Sequence, residues 1–197
     1  MFFDKYKNSK MNTLISNSIE EHQEIVYLFK SSSTAVQKTG ELLISTIRSG
    51  SKIFICGNGG SASDAQHFAA ELTGRFERER RALPALALST DTSAITAIGN
   101  DYGFDFIFSR QLEALAKPGD LLVAISTSGS SKNVLQAVSY AKNNQIATIG
   151  LLGRDGGQLK DEIDLSLVVP SMRTARIQEM HILIVHLWCE MLDAAIL

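Results

Sequence analysis

The chain has 197 residues, 45% hydrophobic and 20% charged, a balance that excludes a disordered polymer and leaves apolar surface enough for one core. With 19 Lys and Arg against 21 Asp and Glu the formal charge is −2 and the signs are mixed, so the basic face of a nucleic-acid binder is missing and no nucleic-acid partner is expected. No run approaches the roughly 18 apolar residues of a membrane span, and the start, Met-Phe-Phe-Asp-Lys-Tyr-Lys, lacks the apolar core of a secretory signal, so a cytoplasmic protein with no membrane partner is expected.

Residues 1–13 are expected as a disordered tail, with Met11 an alternative start. Ile15, Ile19, Val26 and Phe29 then recur at helical spacings, and Val36, Leu43 and Ile47 do the same before Gly50, so residues 14–50 read as N-terminal helices. From residue 51 the pattern alternates. Lys52–Cys56 is a short apolar run ending in Gly57-Asn58-Gly59-Gly60-Ser61, and a helical stretch follows from about Ala62 to Phe76. Pro84–Leu88 is a second run, with helical patterns up to about Ala116. Leu121–Ile125 is a third, ending in Ser126-Thr127-Ser128-Gly129-Ser130-Ser131, and its helix reaches about Asn143. Ile146–Leu152 and Leu165–Val169 are further strands, and a helix from about Thr174 to Ala195 closes the chain. Apolar runs without alternation belong to strands buried on both faces. Strands interleaved with helices then predict a single α/β domain over 1–197, its core at 51–197 a doubly wound parallel sheet of five strands.

In such folds ligands lie beyond the carboxyl ends of the strands, where the strand order reverses. Two predicted loops stand there. Gly57, Gly59 and Gly60 allow a tight bend and a close approach, and the helix after Ser61 is expected to aim free N–H groups at an anion. Ser126, Thr127, Ser128 and Ser131 add hydroxyl donors at a second strand end, a chemical match to a phosphate monoester. Either loop alone reads equally as a capped turn, since Gly and Ser are the common residues there. Gly57 to Ala62 also satisfies the dinucleotide pattern G-x-G-x-x-A. That pattern needs an acid about 20 residues on, after the second strand. Asp91 is too far along, and Glu77 and Glu79 precede that strand, so dinucleotide binding is the weaker reading.

Three of the four histidines lie in two helical segments rich in other functional side chains. His67 and Glu71 share one face of the helix after the first loop. Gln178, His181 and His186 lie on the last helix among Ile177, Met180, Ile182, Leu183, Ile184 and Val185, where a lone histidine is usually a core residue. Gly99-Asn100-Asp101-Tyr102-Gly103 is a turn-like cluster, equally well a capped loop. Cys56 and Cys189, the only cysteines, have no C-x-x-C neighbour and read as reduced thiols.

At these residues the sequence resembles the SIS (sugar isomerase) family, and most closely its phosphoheptose isomerase branch. The matching segments are CGNGGSASDAQHFAAELTGRF, TAIGNDYGFDFIFSRQ, AISTSGSSKNV and TARIQEMHILIVH, in order, over about Leu14 to Leu192. The resemblance implies a cytoplasmic homotetramer of the SIS fold, with sites at subunit interfaces. It would convert the seven-carbon sugar D-sedoheptulose 7-phosphate to D-glycero-D-manno-heptose 7-phosphate, towards the heptose of lipopolysaccharide. By motif, Asn58, Gly59, Gly60, Asn100, Asp101, Ser126, Thr127, Ser128, Ser131, Glu71 and Gln178 would contact substrate, with Ser61 helping at the phosphate. Glu71 and His186 would be the acid/base pair, and one zinc ion would be held by His67, Glu71, Gln178 and His186. The chain departs from some members at Ala175 and Ala70, which leaves auxiliary roles there in doubt. Gln178 and His186 are eight residues apart, about 12 Å of rise, so a shared metal requires a distorted helix or residues from two subunits. The resemblance extends to a non-catalytic tetrameric adaptor, the DnaA initiator-associating protein, but an adaptor has no need of a carboxylate at Glu71 and an imidazole at His186.

Overall fold

Short apolar runs bounded by glycine and proline become strands, and the segments between them fold back as helices. The computed structural model describes residues 2–196. Ahead of the sheet lie α1 (Phe2–Phe29) and α2 (Ser33–Arg48), joined by a 3-10 turn at Lys30–Ser32. Then come β1 (Ile53–Cys56), α3 (Gly60–Thr73), β2 (Ala85–Ala87), α4 (Thr92–Asp101), α5 (Ser109–Leu115) and β3 (Leu121–Ser126). The chain continues through α6 (Lys132–Asn143), β4 (Ala147–Gly153), α7 (Leu159–Glu162), β5 (Leu165–Val169) and α8 (Thr174–Ala195). The five strands form one sheet in the order β2-β1-β3-β4-β5, every pairing parallel. The predicted doubly wound sheet is therefore present, and each expected strand lies within two residues of its observed bounds.

The absence of polar alternation has its cause in the two cores. Successive strand side chains point to opposite faces. Ile53 and Ile55 of β1, with Leu121, Val123 and Ile125 of β3, join the layer formed with α1, α2, α3 and α8. Phe54 and Cys56, with Leu122 and Ala124, join the layer formed with α5, α6 and α7. Both faces are covered, so every position of the inner strands β1 and β3 is buried, while Leu86 of the edge strand β2 remains exposed. Trp188 of α8 is fully buried and donates its indole N–H to Thr39 Oγ1 of α2 at 3.0 Å, a polar anchor inside the first layer. Both cysteines are free and buried, and burial pushes each thiol up to about 12.

The helix boundaries differ from expectation in places. α1 begins at Phe2 rather than near residue 14, and no glycine or proline interrupts Phe2–Phe29. The single turn of α7 and the 3-10 turn at Phe104–Phe106 are too short to carry a periodicity. Among the described residues no helix is long and apolar enough to cross a membrane.

Candidate functional site

From β1 the chain steps out to β2, then returns to place β3 on the other side of β1. The strand order reverses between β1 and β3, and a crevice opens at their carboxyl ends. The two predicted loops flank it and are tied together across it. Asn58 Nδ2 donates to Asn133 Oδ1 at 2.8 Å, and Asn133 Nδ2 donates back to Asn58 Oδ1 at 2.8 Å. Asn133, buried on the first turn of α6, is a residue sequence reasoning missed, because nothing in its spacing marks it.

The glycine loop bends through Gly59 at φ +56°, a left-handed conformation that favours glycine. The first turn of α3 closes on this loop. Ser61 donates its N–H to the Asn58 carbonyl at 3.0 Å, and Ala62 and Ser63 donate theirs to the Gly59 carbonyl at 3.0 and 3.2 Å. The expectation of free N–H groups after Ser61 is thereby corrected: the bend at Gly59 turns the loop carbonyls back onto them. Ser61 itself is buried. A Cβ on Gly60 would stand 2.1 Å from Gln178 Nε2, so the Gln178 amide lies directly over this glycine.

The serine loop is built otherwise. Ser126 Oγ lies 3.0 Å from Ser131 Oγ and 3.5 Å from Ser128 Oγ, and it accepts the Gly129 N–H at 3.1 Å. Ser131 is the N-cap of α6, yet its side chain gives the first turn no cap. A ring of hydroxyls beside an uncapped helix start offers the donors an anion requires. A neighbouring loop braces it. Cβ atoms on Gly129, Gly157 and Gly153 would stand 1.9 Å from the Gly156 oxygen, 2.6 Å from the Ser128 oxygen and 2.7 Å from the Thr127 oxygen. The Leu159 N–H donates to the Gly129 carbonyl at 2.9 Å. This brace, Gly153-Arg154-Asp155-Gly156-Gly157, was passed over in sequence, although three glycines in five residues at a strand end were its signal.

Leading out of the crevice, α3 and α8 run side by side in the same direction. Gln178 meets Gly60 at the start. Further along, His67 Nε2 lies 3.1 Å from His186 Nε2, one ring donating to the other, and 3.4 Å from Glu71 Oε1. Phe68 packs on Trp188 just beyond, and the Phe76 ring stacks on the His186 imidazole with centroids 5.6 Å apart. His67, Glu71 and His186 are thus brought together. One turn before His67 stands Asp64, whose Oδ2 is buried without a partner; burial pushes its carboxyl up to about 6, with His67 pulling the other way.

His181 faces the core as expected, fully buried with Nε2 donating to the Leu152 carbonyl at 3.1 Å, but its Nδ1 has no partner. Burial pushes its pKa down to about 4, against the hydrogen bond to Leu152. Asn100 and Asp101 end α4, exposed and bonded to each other at 2.8 Å. Among the described residues no hydrogen bond joins their side chains to either loop.

For a zinc ion the donor set fits in part. Among the described residues no three His, Cys, Asp or Glu side chains close into a metal-holding cluster; His67, Glu71 and His186 meet pairwise through His67. Bonds of about 2 Å in a tetrahedron place neighbouring donors about 3.3 Å apart, and the two separations at His67 are 3.1 and 3.4 Å. Gln178 of the same protomer does not join them. α8 is one unbroken helix from Thr174 to Ala195, so its rise keeps Gln178 at Gly60.

The family described as SIS domain matches residues 17–153. The phosphoheptose isomerase of Campylobacter concisus is 54% identical over 185 residues, 94% of this chain and 98% of that protein. Phosphoheptose isomerase 1 of Campylobacter jejuni is 55% identical over 183 residues, 93% of this chain and 98% of that protein. The structure of a phosphoheptose isomerase from Neisseria gonorrhoeae superposes with a TM-score of 0.89 at 45% identity, covering 93% of this chain and 99% of that one.

Proposed function

The chain belongs to the SIS domain family and, within it, to the phosphoheptose isomerases, and from that premise we propose how its own residues act on D-sedoheptulose 7-phosphate. The observation that carries the reading is the meeting of His67, Glu71 and His186 on two helices whose first turns meet at the glycine loop, beside the serine loop. The phosphate sits in the serine loop, on the hydroxyls of Ser126, Thr127, Ser128 and Ser131 and the first turn of α6. The glycine loop, with Asn58, Gly59 and Gly60, borders the sugar chain, and Ser61 acts through the shape of that turn. Asn100 and Asp101 reach a substrate from the exposed end of α4.

Interconversion of ketose and aldose moves one proton between carbons 1 and 2 and another between their oxygens. Glu71 takes the proton from carbon 1, the electron pair forms the carbon–carbon double bond of a cis-enediol, and the carbonyl oxygen at carbon 2 becomes a hydroxyl. Return of the proton to carbon 2, with loss of the hydroxyl proton at carbon 1, leaves the aldehyde. His186 carries the oxygen-bound proton, and stacking on Phe76 keeps its ring oriented. His67, Glu71 and His186 would hold a zinc ion, with Gln178 joining them only from another subunit, and such an ion would supply a Lewis acid for negative charge on the substrate oxygens.

The homotetramer is supported by an apolar surface that one protomer leaves uncovered. Leu14, Ile15, Ile19 and Tyr27 of α1 are exposed, and a groove of about 650 Å³ between α1, α2 and α8 is lined by Val26, Phe29, Leu183, Leu187 and Met191. A cytoplasmic enzyme supplying the heptose of lipopolysaccharide accords with this reading. The adaptor alternative has no observation in its favour.

The direct test is incubation of the purified protein with sedoheptulose 7-phosphate. The aldose 7-phosphate is expected, and Glu71→Gln is expected to lower kcat by about 10²- to 10⁴-fold while phosphate binding survives. Wild-type turnover in that variant removes Glu71 from the scheme. Metal analysis is expected to find one zinc per protomer, with activity lost on chelation; activity that persists removes the metal.

A further inference from the structure

A buried ion pair closes the far ends of the two helices that carry the proposed acid/base groups. Arg80 and Asp193 have side chains only 1% and 3% exposed, and Arg80 Nε donates to Asp193 Oδ1 at 2.8 Å. The rest of the guanidinium grips the last turn of α3. Nη2 donates to the Glu71 carbonyl at 2.8 Å, and Nη1 to the carbonyls of Leu72 and Arg81 at 3.1 Å each. The Glu71 and Leu72 carbonyls are ones that a helix end leaves without intrahelical partners, and a cation is favourable there, whereas Arg81 lies beyond α3. Asp193 stands in the last turn of α8, and its Oδ2 accepts the N–H groups of Glu77 and Arg78 at 3.0 and 2.9 Å. Those residues follow Phe76, whose ring stacks on His186.

Helix stability accounts for Arg80 at the end of α3 but not for the acid it meets. An acid in the last turn of a helix is opposed by the helix dipole, and apolar residues often replace a buried ion pair at no cost. Burial by itself raises the Asp193 pKa; the Arg78 N–H, the Arg80 guanidinium and the Glu77 N–H outweigh it and hold the carboxyl below its ordinary value. The carboxylate therefore stays charged and stays in place. Apart from the Arg81 carbonyl, the groups the pair grips lead to the site: the end of α3 at Glu71 and Leu72, the helix bearing His186, and the loop that follows Phe76.

We propose that Arg80 and Asp193 are positioning residues, which fix α3 against α8 so that Glu71, His67 and His186 face one another with Phe76 seated on His186. Neither touches the reacting atoms. The inference rests on the reading of Glu71 and His186 as the acid/base pair for its kinetic consequence, and on geometry alone for its structural one.

Two variants test it. Arg80→Met with Asp193→Leu removes the pair without stranding a charge but leaves the backbone groups of Glu71, Leu72, Glu77 and Arg78 without these partners, so the protein is expected to fold with a Tm below that of the wild type. Arg80→Lys keeps the charge and loses the planar fork, and it serves if the double variant does not fold. In each, kcat is expected to fall about 100-fold with KM changed less than about 3-fold, because a displacement near 1 Å is that costly to chemistry and the phosphate cradle lies elsewhere. In a crystal structure of either variant, the His67–His186 separation is expected to grow from 3.1 Å by about 1 Å. A folded variant with wild-type kcat and an unchanged separation overturns the proposal. Should the wild-type protein not isomerise the sugar phosphate, the functional reading fails by itself, and the crystallographic separation still decides the positioning role.

Discussion

The glycine loop and the serine loop occupy equivalent places in the fold, each leading from the carboxyl end of an inner strand into a helix, yet they are built for different work. In the glycine loop the N–H groups of Ser61, Ala62 and Ser63 are spent on the carbonyls of Asn58 and Gly59, and Asp64 adds a partly buried carboxyl just beyond. In the serine loop the first turn of α6 receives no side-chain cap, and three hydroxyls gather beside it. The difference teaches that topology fixes where a ligand sits, while the fate of the backbone N–H groups decides which part of it sits there. The proposed function accordingly places the phosphate at the serine loop and the sugar along the glycine loop.

Four measurements can break or sharpen that contrast. The largest effect is expected from Gly129→Ala, because φ is +65° there and the new Cβ would stand 1.9 Å from a backbone oxygen of the bracing loop. A loss of about 3 kcal/mol, or about 10 °C in Tm, should follow. Gly60→Ala meets only the movable end of Gln178 and should cost under about 1 kcal/mol; equal losses would show the two loops to be equally rigid. Next, Ser131→Ala is expected to raise KM for the sugar phosphate about 10-fold or more, since a bond to a charged group is worth about 1.5–3 kcal/mol. Ser61→Ala should change it about 2-fold, and the reverse ranking would move the phosphate to the glycine loop.

A smaller effect is expected for the bridge between the loops. A double-mutant cycle of Asn58→Ala and Asn133→Ala, followed by urea unfolding, should give a coupling of about 1 kcal/mol. Additivity would mean that the loops are held apart by the sheet alone. The smallest concerns Asp64. Its carboxyl is raised from 3.8 to about 6, so the folded state binds the extra proton between those values and stability falls as pH rises through that window. Asp64→Asn lacks this slope and should gain on the wild type from pH 4 to 6, with a constant gap above. Half-exposure screens the effect to under about 1 kcal/mol. A gap independent of pH would deny that this acid is desolvated.

Much of this was legible in the sequence. The runs at Ile53–Cys56 and Leu121–Ile125 announced strands covered on both faces, because every position in them is apolar. The two loops were legible because glycine and serine are demanded by backbone chemistry at fixed places. His67 and Glu71 were legible as a pair through their four-residue spacing. What could not be read depends on distant partners. Asn133 matters only because Asn58 faces it, Phe76 because His186 lies beneath it, and Arg80 because Asp193 sits 113 positions away. The closure of the first turn of α3 was missed because it follows from the φ of Gly59, which composition does not set. Gln178 was assigned to the metal by motif, and its seat over Gly60 became visible only once α3 and α8 lay parallel.

The two cysteines give this protein a clock. Cys56 lies inside an interior strand and Cys189 inside the closing helix, both fully covered and far from thiolate formation. Alkylation must wait for the surrounding structure to part, so the two labelling rates report how often the sheet and the last helix come open, and whether they do so together.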